Sequence, residues 1–322
     1  MTRVHVWGAA GYAAAQAIEW IDRHPHLHVG ILESKSHAGT MLAESFSVFR
    51  RSNLSFSASG SIASELTPGD IVIAAGAHGA GREAVKSFLA RGARVVDLSA
   101  DFRFDDDVAY GLTEWNRDAI AEATLVANPG CYPTASLLPL LPLLELFPPI
   151  ALVIDAKSGI TGAGRTPTLG AMFAELDGDI RAYGLTGHRH QPEIERMLAL
   201  HGCAAPLTFT PHVVPLSRGM LADVYLVLDR TPDIRAVVSA VSDAYEASPF
   251  VRVLDEGTPP SVPAVVGTND AEISVGLCGN TIRAICAIDN LGKGAAGQAL
   301  QNINIMLGYP EEEGFRARTV AA

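Results

Sequence analysis

Paired cysteines are missing from this sequence. The four present, Cys131, Cys203, Cys278 and Cys286, are scattered through 322 residues with no CxxC spacing, which fits neither a disulfide scaffold nor a zinc site. Runs of Lys and Arg are missing too. With 24 basic and 35 acidic residues the formal net charge is −11, which repels polyphosphate, so nucleic acid is not an expected partner. An anionic ligand must then be met by a local cluster of cations. No long apolar run is free of interruption either: LLPLLPLLELFPPIALVI (137–154) carries four prolines and Glu145. Lipid would leave the backbone groups freed by those prolines unsatisfied, so the stretch reads as a packed helix and a strand, with no membrane span. The opening RVHVWG lacks the basic, apolar and small-residue segments of a signal peptide, and a reducing cytoplasm is the expected location. The ten histidines include one tight group, GHRH (187–190), whose spacing does not supply the ligands of a metal ion, and none is expected. There is no internal repeat and no disordered linker.

What is present suffices for a buried core and suggests two domains, since 48% of residues are hydrophobic and 18% charged. RVHVWGAAGYAAAQAIEWIDRH reads as strand, glycine turn and helix, and a second strand, LHVGIL (27–32), follows. DIVIAAG (70–76), GAGREAVKSFLARG and RVVDLS (94–99) continue as strand, helix ending at Gly92, and strand. Alternation of this kind predicts a parallel, doubly wound sheet. After residue 130 a helix from Tyr132 and a strand over 150–158 lead into a long Gly-rich stretch, then into PLTFTPHVVPL, ADVYLVL and TIRAICAID. These predict a mixed or antiparallel sheet with helices on one face, an α+β domain. The last helix is expected over 292–308.

The turn WGAAGYAAA places Gly8 and Gly11 between strand and helix, with Ala14 at the third glycine position. Glycine lets the backbone approach a pyrophosphate whose charge then sits on the helix N-terminus. Gly8, Ala9, Ala10, Gly11, Tyr12 and Ala13 are therefore candidate dinucleotide contacts, with Gly76 at the end of its own strand. The segment LESKS points two ways: Glu33 has the spacing of an acid that bonds the adenosine ribose of NAD, whereas Ser34, Lys35 and Ser36 suit a 2'-phosphate.

In VANPGCYPTASLL (126–138), Asn128 and Pro129 end a strand, Gly130 permits a sharp turn, and Cys131 falls in the first helical turn, where free N–H groups and the helix dipole favour a thiolate. A small core cysteine is the competing reading. A thiolate needs a proton manager, and TGHRHQPEIERML (186–198) offers His188 and His190 just ahead of Pro192 and Glu193. Arg189, with Arg103 of SADFR and Arg218 of PLSRG, supplies cations for an acidic substrate. KSGITGAGRTP (157–167), with Ser158, Gly159 and Gly162, suits a loop lying against phosphate or cofactor.

Taken in order, NPGCYPTA, GHRHQPEIE, DLSADFR, YGLTEWNR, SGITGAGR, FTPHVVPLSRGM and DNLGKGAAGQALQNINIMLG resemble the N-acetyl-γ-glutamyl-phosphate reductases, the NADP-dependent third step of arginine biosynthesis. The resemblance spans nearly the whole chain. It implies an α/β fold shared with glyceraldehyde-3-phosphate and aspartate-semialdehyde dehydrogenases: an NADP-binding Rossmann domain, 1–130 plus 292–322, and an α+β domain for catalysis and oligomerisation, 131–291. It further implies Cys131 as nucleophile, an acid-base histidine in GHRH with His190 preferred over His188, and Asn290 with the 159–164 loop near the nicotinamide. NADP(H), a small-molecule acyl phosphate, and a homodimer or homotetramer follow as expectations. Arg103, Asn128, Arg189, Glu193 and Arg218 are the candidate substrate contacts. Two departures bear on cofactor choice: GYAA where the family shows GYTG, and Glu33 before Ser34 and Lys35 where it commonly shows Thr before Ser-Arg. Two rivals remain: the similar lysine-pathway reductase of a carrier-bound aminoadipyl phosphate, and a non-catalytic dinucleotide-sensing module.

Overall fold

The computed structural model describes residues 1–315; positions 316–322, part of the expected nucleotide-binding segment 292–322, lie outside the described residues. Two compact units are formed, Met1–Pro129 with Ala295–Ala322, and Gly130–Gly294.

In the first unit, β1 (Thr2–Trp7), α1 (Tyr12–Ile21), β2 (Leu27–Glu33), α2 (Leu42–Ser45), β3 (Phe56–Ser57), α3 (Ser61–Glu65) and β4 (Ile71–Ala74) are followed by α4 (Arg82–Leu89), β5 (Arg94–Asp97), β6 (Ala109–Tyr110), α5 (Thr113–Glu122) and β7 (Leu125–Ala127). The sheet runs β3-β2-β1-β4-β5-β7-β6, parallel at every pairing. Its central strands are short apolar runs such as IVIA, because helices cover both faces and no side is left for polar alternation. Ala14, Ala17, Ile18 and Ile21 of α1 are buried with Val4, Val6, Ile71 and Ile73 in one core, which also takes Ala299, Leu300 and Ile303 of the C-terminal helix (Gly297–Leu307). The strand order reverses between β1 and β4, where a doubly wound sheet opens its ligand crevice.

In the second unit, α6 (Cys131–Leu144), β8 (Ala151–Gly159), α7 (Phe173–Leu176), β9 (Arg181–Ala182), α8 (Gln191–Leu200), β10 (Leu207–Val214) and β11 (Met220–Val227) precede α9 (Ile234–Tyr245), β12 (Val251–Val253), α10 (Val262–Val265), β13 (Ala271–Cys278) and β14 (Thr281–Ile288). The sheet is mixed, in the order β12-β13-β14-β11-β8-β10-β9. Along β8, Leu152, Ile154, Ala156 and Ser158 are buried while Val153, Asp155 and Lys157 are half-exposed. Lys157 pairs with Asp155 and Asp223 on that second face, and Arg283 with Asp223. Helix α6 carries Pro139 and Pro142 inside it. Pro142 leaves the Leu138 carbonyl without its helical donor, and the Tyr245 hydroxyl of α9 donates to it instead.

Two boundaries differ from the sequence reading. Residues 292–294, expected with the nucleotide-binding part, belong to the second unit, where the Gly294 N–H donates to the Asp289 carbonyl at 2.9 Å and a Cβ on Gly294 would stand 2.8 Å from that of Cys131. Gly130 likewise joins the second unit. The final helix is α-helical only over Gly297–Leu307, after a π-helical turn at Gly292–Ala296. Among the described residues no helix is long and apolar enough to cross a membrane.

Candidate active site

The glycine turn of the first unit has the shape a dinucleotide requires. Gly8 takes φ +78°, and a Cβ there would meet the Ala75 and Gly76 backbone at 2.7 Å, so only glycine lets β1 turn this closely past β4. The N–H groups of Gly8 and Ala9 both donate to the Glu33 carbonyl at 3.0 Å, which ties the turn to the end of β2. Gly11 caps α1 without a side-chain acceptor for the first-turn amides, and nothing lies within 4 Å of where its Cβ would be. That open space above the positive end of a ten-residue helix fits a pyrophosphate. Ala10, Tyr12 and Ala13 border it in sequence, whereas Ala9 is fully buried. At the ribose end the two-way reading of LESKS gains geometry. The Glu33 carboxylate accepts from the Ile62 N–H at 3.1 Å in the first turn of α3, and is buried there. Ser34 is buried as well, while Lys35 and Ser36 are exposed. Gly76 is demanded by packing: a Cβ would overlap the Trp7 ring at 1.9 Å.

In the second unit Gly130 takes extended angles (φ −70°, ψ 157°) as the cap of α6, and Cys131 begins the helix. Pro133 has no N–H, and the Thr134 N–H bonds back to the Gly130 carbonyl at 2.9 Å. The other amides of this first turn are those of Cys131 and Tyr132. Cys131 opens onto a cavity of about 400 Å³ lined also by Tyr132, Ser158, Gly159, Gly162, Tyr183, His188, Arg189 and His190, with Arg181 at its wall. His190 caps α8 and is buried; its main-chain N–H donates to His188 Nδ1 at 3.1 Å. This bond makes Nδ1 of His188 an acceptor and leaves its proton on Nε2. His188 packs edge-on against Tyr132, Tyr183, His190 and Phe209, and burial, aided by the charge of Arg189, lowers its pKa to about 4. It is therefore a neutral donor near pH 7. The Arg189 Nε points at His190 Nε2 at 3.4 Å.

Several sequence candidates are placed differently from expectation. Arg103 is 5% exposed in the first unit, its guanidinium donating to the carbonyls of Asn128 and Leu98 at 2.8 and 2.9 Å, so it braces strand ends where a substrate cation was expected. Asn128 is also spent on structure: its amide donates to the Pro129 and Ala295 carbonyls, and its Oδ1 accepts from Asn302. Arg218 is held by Asp289, at 2.7 Å between Nη2 and Oδ2. Glu193, expected at the substrate, accepts from the Gly130 N–H at 3.0 Å. Asn290 accepts from the Gly219 N–H at 2.7 Å and donates to Thr161 Oγ1 at 3.0 Å, which fixes the 159–164 loop. Cys131, His188, His190, Arg189, Ser158, Gly159 and Gly162 do converge on one cavity. Sequence reasoning missed Arg181, Tyr132 and Tyr183. Tyr132 stands beside the cysteine in NPGCYPTA, which was signal enough; the other two lie in the Gly-rich stretch with no periodicity to mark them.

An open parallel sheet with this turn, joined to a mixed-sheet unit with a cysteine at a helix start, defines a class of dehydrogenase. The family model described as semialdehyde dehydrogenase, NAD binding domain matches residues 3–123, and that described as semialdehyde dehydrogenase, dimerisation domain matches 131–290. The first unit thus takes a nicotinamide dinucleotide. The fold is that of aspartate semialdehyde dehydrogenase II from Vibrio cholerae complexed with ASA (TM-score 0.75, 16% identity, 96% of this chain and 98% of that one). It is equally that of a probable aspartate-semialdehyde dehydrogenase from Pseudomonas aeruginosa (TM-score 0.74, 21% identity, 95% and 98%). Within this class the chain belongs to the N-acetyl-gamma-glutamyl-phosphate reductase family. It is 40% identical over 339 residues to the reductase of that name from Geobacter metallireducens, covering 98% of both chains. To the one from Bordetella pertussis it is 38% identical over 343 residues, covering 97% and 96%.

Proposed function

We propose that this enzyme reduces N-acetyl-γ-glutamyl phosphate to N-acetylglutamate 5-semialdehyde and phosphate, with NADPH, through a thioester on Cys131. The observation that carries this reading is the cavity in which a helix-start cysteine meets two histidines and the guanidinium of Arg189. The Cys131 thiol loses its proton to His190 and attacks the acyl carbon; the C–O bond to phosphate breaks, and the departing phosphate takes that proton. Bound NADPH supplies the hydride that reduces the thioester. A proton taken up from solvent recharges His190, which protonates the oxygen of the hemithioacetal, takes the proton back as the C–S bond breaks, and returns it to the departing thiolate. His188, neutral with its proton on Nε2, orients a substrate oxygen. The first-turn amides of Cys131 and Tyr132 receive negative charge developing on the acyl oxygen. Arg189 meets an anionic end of the substrate, while Arg181, paired with Asp179 at 2.6 Å, stands at the cavity wall. When phosphate draws Arg189 to itself, Nε2 of His190 is released for proton transfer.

Gly8, Ala10, Gly11, Tyr12 and Ala13 cradle the pyrophosphate, and Ser34, Lys35 and Ser36 face the 2'-phosphate; Ser158, Gly159 and Gly162 take the nicotinamide end in this reading. The turn of Glu33 toward Ile62 supports NADPH over NADH, because a carboxylate held on α3 does not bond the ribose hydroxyls. The enzyme works in the cytoplasm as a homodimer or homotetramer. Support for self-association comes from Leu169, Phe173, Ile180 and Leu185, all exposed in the stretch that walls the cavity.

Steady-state assays of phosphate-dependent semialdehyde oxidation, run with both cofactors, test the reading. N-Acetylglutamate 5-semialdehyde is expected to be oxidised in preference to the carrier-bound aminoadipate homologue, and a reversed preference would assign the enzyme to lysine synthesis. Lys35→Ala is expected to raise KM for NADPH by roughly tenfold to a hundredfold, the value of one charge-assisted contact. KM for NADH should barely move; equal losses would show that Lys35 supports its loop and does not read the phosphate.

A further inference from the structure

We propose that Glu193 is a positioning residue which registers the helix presenting Cys131 against the helix capped by His190, by accepting the Gly130 N–H across the gap between α6 and α8. The proposal rests on Cys131 being the nucleophile. Glu193 lies in the first turn of α8, three residues beyond His190, and only 2% of it is exposed. A glutamate is rarely buried this deeply unless it is bonded. Its Oε1 stands 3.0 Å from the Gly130 nitrogen.

Gly130 has no side chain with which to cap α6, so the two peptide planes that meet at it are fixed by its main-chain groups. Both are engaged. The carbonyl accepts from the N–H and Oγ1 of Thr134, and the N–H donates to Glu193. The two peptides that meet at Gly130 are therefore both held, the one leading to Cys131 by Thr134 of α6 and the one coming from Pro129 by Glu193 of α8. The path by which the chain enters α6 at Cys131 is tied to the same helix turn that carries His190. A carboxylate at the first turn of α8 is itself favoured by the helix dipole, so the brace is compatible with its own helix.

The electrostatic sign separates this role from activation. A negative charge beside the start of α6 opposes thiolate formation, against the effect of the helix end. Glu193 therefore holds the thiol at the cost of making it somewhat less acidic. Glu193→Gln keeps an acceptor oxygen for Gly130 and removes the charge, whereas Glu193→Ala removes both.

Each variant is compared with wild type by steady-state kinetics and by the pH profile of alkylation at Cys131 with iodoacetamide, located by peptide mapping, with circular dichroism as the check on folding. Glu193→Ala is expected to lower kcat on the order of a hundredfold with KM changed by less than about twofold, the signature of a displaced nucleophile. Glu193→Gln is expected to keep kcat within about threefold of wild type and to move the alkylation midpoint to lower pH. His188, Arg189, His190, Tyr132 and Tyr183 are unchanged in both variants, so that shift reads the charge of Glu193. Should Glu193→Ala fail to fold, the Gln variant alone decides. A Glu193→Gln variant as inactive as Cys131→Ser, or one whose alkylation midpoint does not fall, would overturn the proposal. So would a rise in KM at constant kcat in Glu193→Ala, which is the mark of a substrate contact. Alkylation needs no turnover, so an enzyme that proved not to use Cys131 catalytically would show itself separately, by keeping activity after Cys131 is blocked.

Discussion

Serine at position 131 is expected to lower turnover by at least about a thousandfold, while the dinucleotide still binds with wild-type affinity. The sulfur of Cys131 sits at the first position of a fourteen-residue helix, where the dipole and first-turn amides favour an anion. An alkoxide in the same place is far harder to form near neutral pH, and no other side chain on the cavity can accept an acyl group as readily. The dinucleotide turn at Gly8–Gly11 belongs to the other unit and contains none of the altered atoms. Cofactor titration by fluorescence and steady-state assay of Cys131→Ser together check both halves. A variant that kept even about a tenth of wild-type turnover would contradict the thioester.

Loss of His190 is expected to be the second largest effect, about a hundredfold to ten-thousandfold in kcat for His190→Asn. His188→Asn should cost less and act more on KM. The two imidazoles are five ångströms apart, centroid to centroid at 4.9 Å, yet their surroundings differ. His188 accepts a main-chain N–H on Nδ1 and is held by burial at a pKa of about 4. Above that pH it has already lost its extra proton, so it neither gains nor gives up charge between pH 5 and 8. A limb of the pH–rate profile in that window must then come from another group. It is expected to survive in His188→Asn and vanish in His190→Asn. The opposite pattern would exchange the two roles.

Much of this site was legible in the sequence because it is local. Gly-Cys-Tyr-Pro fixes a helix start within a few residues, and the strand-turn-helix at Gly8 and Gly11 reads from spacing alone, as does the pairing of His188 with His190 ahead of Pro192. The arginines show where such reading stops. Arg103, Arg189 and Arg218 look alike in sequence, but only Arg189 faces the cavity, because the carbonyls that hold Arg103 and the Asp289 that holds Arg218 come from distant parts of the chain. Arg181 was invisible for the converse reason: it sits on β9, a two-residue edge strand with no pattern of its own. Glu33 and Glu193 teach the same lesson for acids, since each is bonded to an amide about 29 or 63 residues away. Tertiary partners decide what a charged side chain does, and the second sheet's register, with β10 beside β8 and β11 beside β14, depends on pairings of that range.

The central claim, a covalent acyl group on Cys131, is tested most directly by mixing the enzyme with N-acetylglutamate 5-semialdehyde and NADP+ in the absence of phosphate. The expected result is a burst of NADPH equal to the number of active chains, with an N-acetylglutamyl adduct on the Cys131 peptide by mass spectrometry, and steady turnover only once phosphate is added. Steady oxidation that ignores phosphate, with no adduct on Cys131, would contradict the account.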